Sequence, residues 1–211
     1  AVACGVGVLT TEAAAAPGAA PKDIDVDILI VGSGPAGATA ARVFAEAGRD
    51  VVVLEEGPDR TGDTVPSKGL TQRDGEMYDQ LYMDRGGRAT TDLSIAVLQG
   101  RALGGGGIIN MSDVVPMKDA TLAVWNKKFG LTEWTAATWK PFVDAALDDL
   151  HANQIGEGQL NRANQLLKLG AEKIGVRGEL MMHNRVGCEG LGTCLLGWRI
   201  GAKKSPHLVS I

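Results

Sequence analysis

An α/β fold follows from three observations on this sequence. Residues 26–31 (VDILIV) and 51–55 (VVVLE) are short apolar runs rich in β-branched side chains, the pattern of strands covered on both faces in a parallel sheet. Residues 36–47 between them, with Ala, Arg, Val and Phe, read as a helix stopped by Gly48. Beyond residue 118, apolar residues recur at helical spacing.

Taken in order, residues 1–25 read as an N-terminal extension and linker, rich in Ala and Gly and broken by Pro17 and Pro21. The first residues also resemble the tail of an export signal, with Ala1, Val2 and Ala3 as a cleavage site, so localisation stays open between cytoplasmic and exported. The domain proper is expected over 26–211. Its second strand ends at Gly57 and Pro58, residues 58–75 read as loop, and 76–83 as a short helix. Residues 93–98 are apolar and strand-like and lead into a second glycine cluster at 104–107. Residues 119–180 are expected to be a mainly helical insertion, with one helix over 135–151 (Trp139, Phe142, Ala145, Ala146, Leu150) and another over 160–174 (Leu160, Leu167, Ala171, Ile174). Residues 180–182 read as a strand and 187–201 as a glycine-rich loop. The last residues, from His207 to Ile211, look like a strand beginning, and two clear strands are too few for a doubly wound sheet. The expectation is a partial domain, completed by another chain that is either a cleavage partner or a separate subunit.

Bulk properties narrow the function. The net charge is −4 and Lys and Arg never cluster beyond pairs, so the dense positive footprint of a nucleic-acid binder is missing. No apolar run approaches the roughly 18 residues that a spanning helix needs. Cys188 and Cys194 are separated by five intervening residues with no second pair, which is not a zinc spacing; they read as a disulfide or as two packed thiols. The four tryptophans read as packing groups.

The first glycine cluster carries the strongest chemistry. Gly32, Ser33, Gly34, Pro35, Ala36 and Gly37 fit G-x-G-x-x-G, follow a strand, open a helix, and have Glu55 at the end of the next strand, 21 residues after Gly34. Gly32 permits the tight turn, Gly34 has no side chain to block a pyrophosphate, and Gly37 lets helix and strand approach. The N–H groups at the helix start suit a phosphate. Glu55 can accept from the ribose hydroxyls of an adenosine and would repel a 2′-phosphate, which disfavours NADP. Glu56 reads as its solvated neighbour. At this point FAD and NAD remain equally compatible, because both present ADP to such a turn.

The second cluster chooses between them. Gly100, Arg101, Leu103, Gly104, Gly105, Gly106, Gly107, Ile108, Ile109 and Asn110 place four successive glycines in an apolar frame. Backbone so free can approach a flat or charged ligand and expose its N–H groups as an anion nest. Here the sequence resembles the glucose–methanol–choline (GMC) oxidoreductases. Three stretches carry the resemblance: the fingerprint over 27–57, the G-R-x-L-G-G-[GST]-[GST]-x-x-N element over 100–110, and the cysteine-containing stretch 187–197 with 201–205, which resembles the bacterial branch near long-chain alcohol oxidases and cholesterol-oxidase-like enzymes. Val114 and Trp198 depart from the family pattern, the latter standing where relatives often have a further Cys.

The resemblance implies a Rossmann-like FAD-binding domain in an enzyme that oxidises an alcohol. By it, Gly32, Gly34 and Gly37 hold the pyrophosphate, Glu55 holds the adenosine ribose, and Gly104, Gly105, Gly106, Gly107 and Asn110 lie along pyrophosphate and flavin; Pro35, Ala36 and Glu56 beside them, and Arg101, read as pinning the loop, complete the candidate cofactor-binding residues. Members that bind flavin covalently do so through a His just before this Asn. Ile109 stands there, so non-covalent FAD is expected. The family's catalytic His lies nearer the C-terminus. His151, His183 and His207 match no such motif, so no catalytic residue is nominated, and a second polypeptide is expected to carry that His and the substrate domain. An NAD(P)H-dependent flavoprotein reductase, or a non-catalytic FAD-binding subunit, are the alternatives.

Overall fold

Three parallel strands form the sheet around which the first half is built: β1 (Val6–Thr10), β2 (Ile28–Val31) and β3 (Val51–Glu55), in the order β1-β3-β2. The computed structural model describes residues 6–10, 23–60, 73–197 and 201–205. The chain divides into two compact units, Ala1–Met111 with Leu191–Ile211, and Ser112–Gly190.

In the first unit β2 runs into α1 (Pro35–Glu46), which returns to β3. Pro35 suits the helix start, since an N–H there has no intrahelical partner to lose. Period-two alternation sends Val51 and Val53 with Ile28 and Ile30 against Ala41 and Ala45 of α1. The opposite face stays bare: Leu29, Val31 and Leu54 are 57, 81 and 39% exposed. A second cluster joins Met77, Leu81 and Tyr82, at and after α2 (Asp74–Leu81), to Ala102, Ile108, Ile109 and Leu196. Tyr82 stacks on Tyr78 at 4.4 Å and donates its hydroxyl to Leu195 O at 2.6 Å. Burial, then the neighbouring Tyr78 and Asp74, pushes the Tyr82 hydroxyl up to about 12, so it stays a donor throughout the physiological range.

Two expectations need correction. Residues 6–10 lie in the stretch read as extension and linker, yet they pair in register with β3 from Val6 opposite Val51 to Thr10 opposite Glu55. The run VGVLT is short and glycine-broken, and only the open edge of β3 gives it a partner. Residues 93–98 are no strand. Asp92 accepts from Thr90 Oγ1 at 2.5 Å and from Ser94 N–H at 3.2 Å, Leu93 takes φ +57°, and only an isolated bridge, Ala89 to Ala96, spans the loop. A side-chain-directed turn outcompetes the ladder there. The reading of 207–211 as a strand start lies outside the described residues.

The second unit holds α4 (Asp119–Phe129), α5 (Ala136–Asp149) and α6 (Arg162–Lys173), and a small antiparallel sheet of β4 (Asp113–Val114), β6 (Met182–His183) and β5 (Asn153–Gln154). Thr135 and Thr138 cap α5 reciprocally, and Trp134 meets Trp139 and Phe142 edge-on at 5.2 and 6.2 Å.

Candidate cofactor site

The glycines of the first turn divide by use. Gly32 has φ +93°, a conformation strained for any side chain. A Cβ on Gly37 would stand 2.0 Å from Gly32 O, so that position is closed by the turn itself. Gly34 is the reverse: nothing lies within 4 Å of an added Cβ. Gly34 caps α1 without any side-chain bond, and the N–H groups of Gly34, Ala36 and Gly37 have no partner among the described residues. Pro35 has no N–H to offer. Three donors at the positive end of a helix therefore face an open side, which is the chemistry of a phosphate cradle.

Glu55 is buried at the end of β3 and accepts three hydrogen bonds. Ser33 N–H and Ser33 Oγ–H donate to Oε2 at 2.9 and 2.6 Å, and Gly57 N–H donates to Oε1 at 2.8 Å. A carboxylate has about four acceptor directions, which leaves one for a ribose hydroxyl. Glu56 is exposed.

Ser33, fully buried, also accepts from Gly104 N–H at 2.9 Å. A hydrogen-bond chain thus runs from the second glycine cluster through Ser33 to Glu55. The two turns also touch: Gly105, at φ +52°, would bring an added Cβ within 3.1 Å of Gly34 Cα. Gly100 packs beneath, where a Cβ would meet Gly105 O at 2.3 Å.

The second cluster does not form the expected row of exposed N–H groups. Gly104 N–H goes to Ser33, Gly105 N–H to Ala102 O at 2.7 Å, and Gly107 N–H to Gly104 O at 3.0 Å. The backbone closes a short helix, α3 (Gly106–Ile109), rather than an open nest. Gly106 alone is exposed, with its N–H unpartnered among the described residues and nothing within 4 Å of an added Cβ. Arg101 has an exposed side chain, and it is its backbone N–H that anchors the loop, to Leu81 O at 2.7 Å. Asn110 is exposed at the end of α3.

Two residues of this region escape sequence reading. Ser33 sits at an unspecified position of the motif; a small hydroxyl there, with an acid ending the next strand, is the signal that could have found it. Lys203 is buried and donates to Ile108 O, Asn110 O and Cys194 O at 2.8, 2.7 and 2.7 Å. Two of its acceptors lie more than 90 residues upstream, so no local pattern announces it.

The histidines stand apart. His151 is exposed beyond α5 with φ +48°. His183 is buried in the second unit, its Nδ1 accepting from Arg185 N–H at 3.0 Å. Burial, then the charge of Arg185, holds it below the usual imidazole range, partly offset by Asp113. It borders a cleft of about 410 Å³ with Asn153, Arg185 and Cys188. His207 lies outside the described residues. Cys188 and Cys194 are free thiols, and Cys188 Sγ accepts from Gly190 N–H at 3.4 Å. Among the described residues there is no cluster of three or more His, Cys, Asp or Glu placed to hold a metal, and no helix is long and apolar enough to cross a membrane.

Two glycine turns locked by a buried serine, one opening a helix after a parallel strand, define a dinucleotide-binding protein. Residues 27–79 match the FAD binding domain family, and residues 78–209 match the GMC oxidoreductase family; the chain belongs to the latter, and its cofactor is FAD. It is 29% identical over 181 residues to a long-chain-alcohol oxidase of Arabidopsis thaliana, FAO4A, covering 86% of this chain and 24% of that protein. A second Arabidopsis thaliana long-chain-alcohol oxidase, FAO3, is 32% identical over 189 residues, with 86% and 24% covered. An uncharacterized GMC-type oxidoreductase of Mycobacterium tuberculosis is 32% identical over 191 residues, with 89% and 29% covered. The chain thus spans about a quarter of the length of these relatives. The open donors at Gly34, Ala36 and Gly37 and the free acceptor direction of Glu55 fit the ADP half of FAD.

Proposed function

We propose that this chain is the FAD-binding portion of an enzyme that oxidises the CH–OH group of an alcohol. The observation that carries this reading is the locking of the two glycine turns through Ser33 in a chain of the GMC oxidoreductase family. When bound, FAD supplies a hydride acceptor at flavin N5. The N–H groups of Gly34, Ala36 and Gly37 hold the pyrophosphate, Glu55 accepts from the adenosine ribose, and Gly106 and Asn110 lie along the pyrophosphate and flavin. Gly32, Gly104, Gly105 and Gly107 shape the backbone that presents them. Ile109, 5% exposed and apolar, offers no nucleophile, which supports a non-covalent flavin. The base that takes the hydroxyl proton, a His, comes with the substrate domain on a second polypeptide. The bare sheet face at Leu29, Val31 and Leu54 supports that reading, since parallel sheets are covered on both faces.

Long-chain aliphatic alcohols are the first substrates to test, because two of the relatives described are named for them. The protein, with any polypeptide that accompanies it, is mixed anaerobically with a long-chain primary alcohol while the visible flavin band is followed. Bleaching is expected. Bleaching by NADPH and not by alcohols would instead make this a flavoprotein reductase, and bleaching by neither would leave a flavin-binding subunit. Acid precipitation should leave a colourless pellet and a yellow supernatant; a yellow pellet would overturn the non-covalent assignment.

A further inference from the structure

A buried ammonium is strongly unfavourable unless each of its N–H groups is donated. Lys203, 3% exposed, meets that condition with three carbonyl oxygens at 2.7–2.8 Å. The choice of carbonyls carries the inference. Ile108 O and Asn110 O lie on either side of the buried Ile109, at the end of α3, where helical carbonyls lose their intrahelical donors. Cys194 O belongs to the segment that returns to the first unit. One side chain therefore grips two peptides of the second glycine cluster and ties them to a stretch more than 80 residues later. The first glycine turn is held by other groups, Ser33 and Glu55.

We propose that Lys203 is a positioning residue for the flavin half of the cofactor. It sets the backbone of residues 108–110, and with it the direction of Asn110 and the placement of α3, while leaving the ADP half to the first turn. The proposal rests on the FAD assignment and not on alcohol oxidation, so a failed alcohol assay leaves it standing.

The test compares ADP and FAD as probes on the flavin-free protein, together with any polypeptide that accompanies it. In Lys203→Met the dissociation constant for FAD should rise about tenfold while that for ADP moves by less than about twofold. The bound flavin should also lose the fine structure of its visible absorbance and change its visible circular dichroism, a signature that a general loss of stability would not produce. Lys203→Gln, which keeps one amide donor at the site, should fall between wild type and Met, and it carries the same comparison if the Met variant does not fold. Parallel weakening of ADP and FAD would make Lys203 a purely structural residue and overturn the proposal. So would unchanged FAD affinity in either variant. Wild-type protein that binds ADP but not FAD would sink the cofactor assignment instead, which keeps the two failures distinct.

Discussion

Ser33 shows how much one small side chain can organise. Its hydroxyl donates to Glu55 and accepts from Gly104 N–H inside a space closed to water. Replacing it with Ala leaves a buried N–H and a carboxylate oxygen each short of a partner, a cost of about 1–3 kcal/mol. Ser33→Ala should accordingly lower the midpoint of urea unfolding and weaken FAD in a fluorescence titration; unchanged values for both would remove the serine from the account. His183 makes a residue-scale prediction in pH. Its pKa is depressed in the fold, mainly by burial, and its Nδ1 accepts a bond that a protonated ring could not. A base with a lowered folded pKa contributes its full stability above the unfolded value, roughly 6.5. That contribution is lost as pH falls from there towards the folded pKa. Protection factors for amide exchange within residues 112–190, corrected for the intrinsic pH dependence of exchange, should therefore fall on acidification through this window, and His183→Gln should blunt the change.

At the scale of elements, the strand–turn–helix at β2 and α1 separates building from binding. Gly37→Ala puts a methyl 2.0 Å from Gly32 O and 3.2 Å from Ile30 Cγ2, with backbone on one side that cannot retreat. The cost should reach or exceed the about 1–3 kcal/mol of ordinary overpacking, seen as a lowered melting temperature. Gly34→Ala enters open space at φ −61°, an ordinary backbone conformation, so the fold should survive while ADP affinity drops. Equal melting temperatures for the two variants would contradict this division. The same scale explains the misread run at 93–98. Its composition is that of a strand, but Asp92 turns the chain by accepting from Thr90 and Ser94, and these bonds hold its carboxylate down at about 2. Local side-chain bonds decide such cases, and hydrophobicity alone does not register them.

Over the whole molecule, the dominant feature is a three-stranded parallel sheet with one face covered by α1 and the other exposed at Leu29, Val31 and Leu54. The proposed second polypeptide makes a specific prediction here. Val31→Lys should change the stability of this chain by no more than about 0.5 kcal/mol, because the side chain is already 81% exposed. It should nevertheless abolish co-purification of the partner. Retention of the partner by this variant would place the contact elsewhere.

Much of this was open to reading from the chain alone. Val51 and Val53 announce a buried strand, Gly32, Gly34 and Gly37 announce the turn, and Glu55 completes the dinucleotide signature, because each depends on neighbours no more than about one strand–helix–strand unit away. The strand at Val6–Thr10 needed the edge of β3, and the exhaustion of the Gly104, Gly105 and Gly107 donors needed Ser33 for the first and the closure of the loop into α3 for the other two. Ser33 and Lys203 lie further still from local pattern. Their roles are set by carbonyls and N–H groups 71 to 95 residues away in sequence. Sequence determined the class of cofactor, since glycine spacing is a property of the chain. Only tertiary structure decided which donors remain open to that cofactor, because a hydrogen bond already made within the fold is no longer available to a ligand.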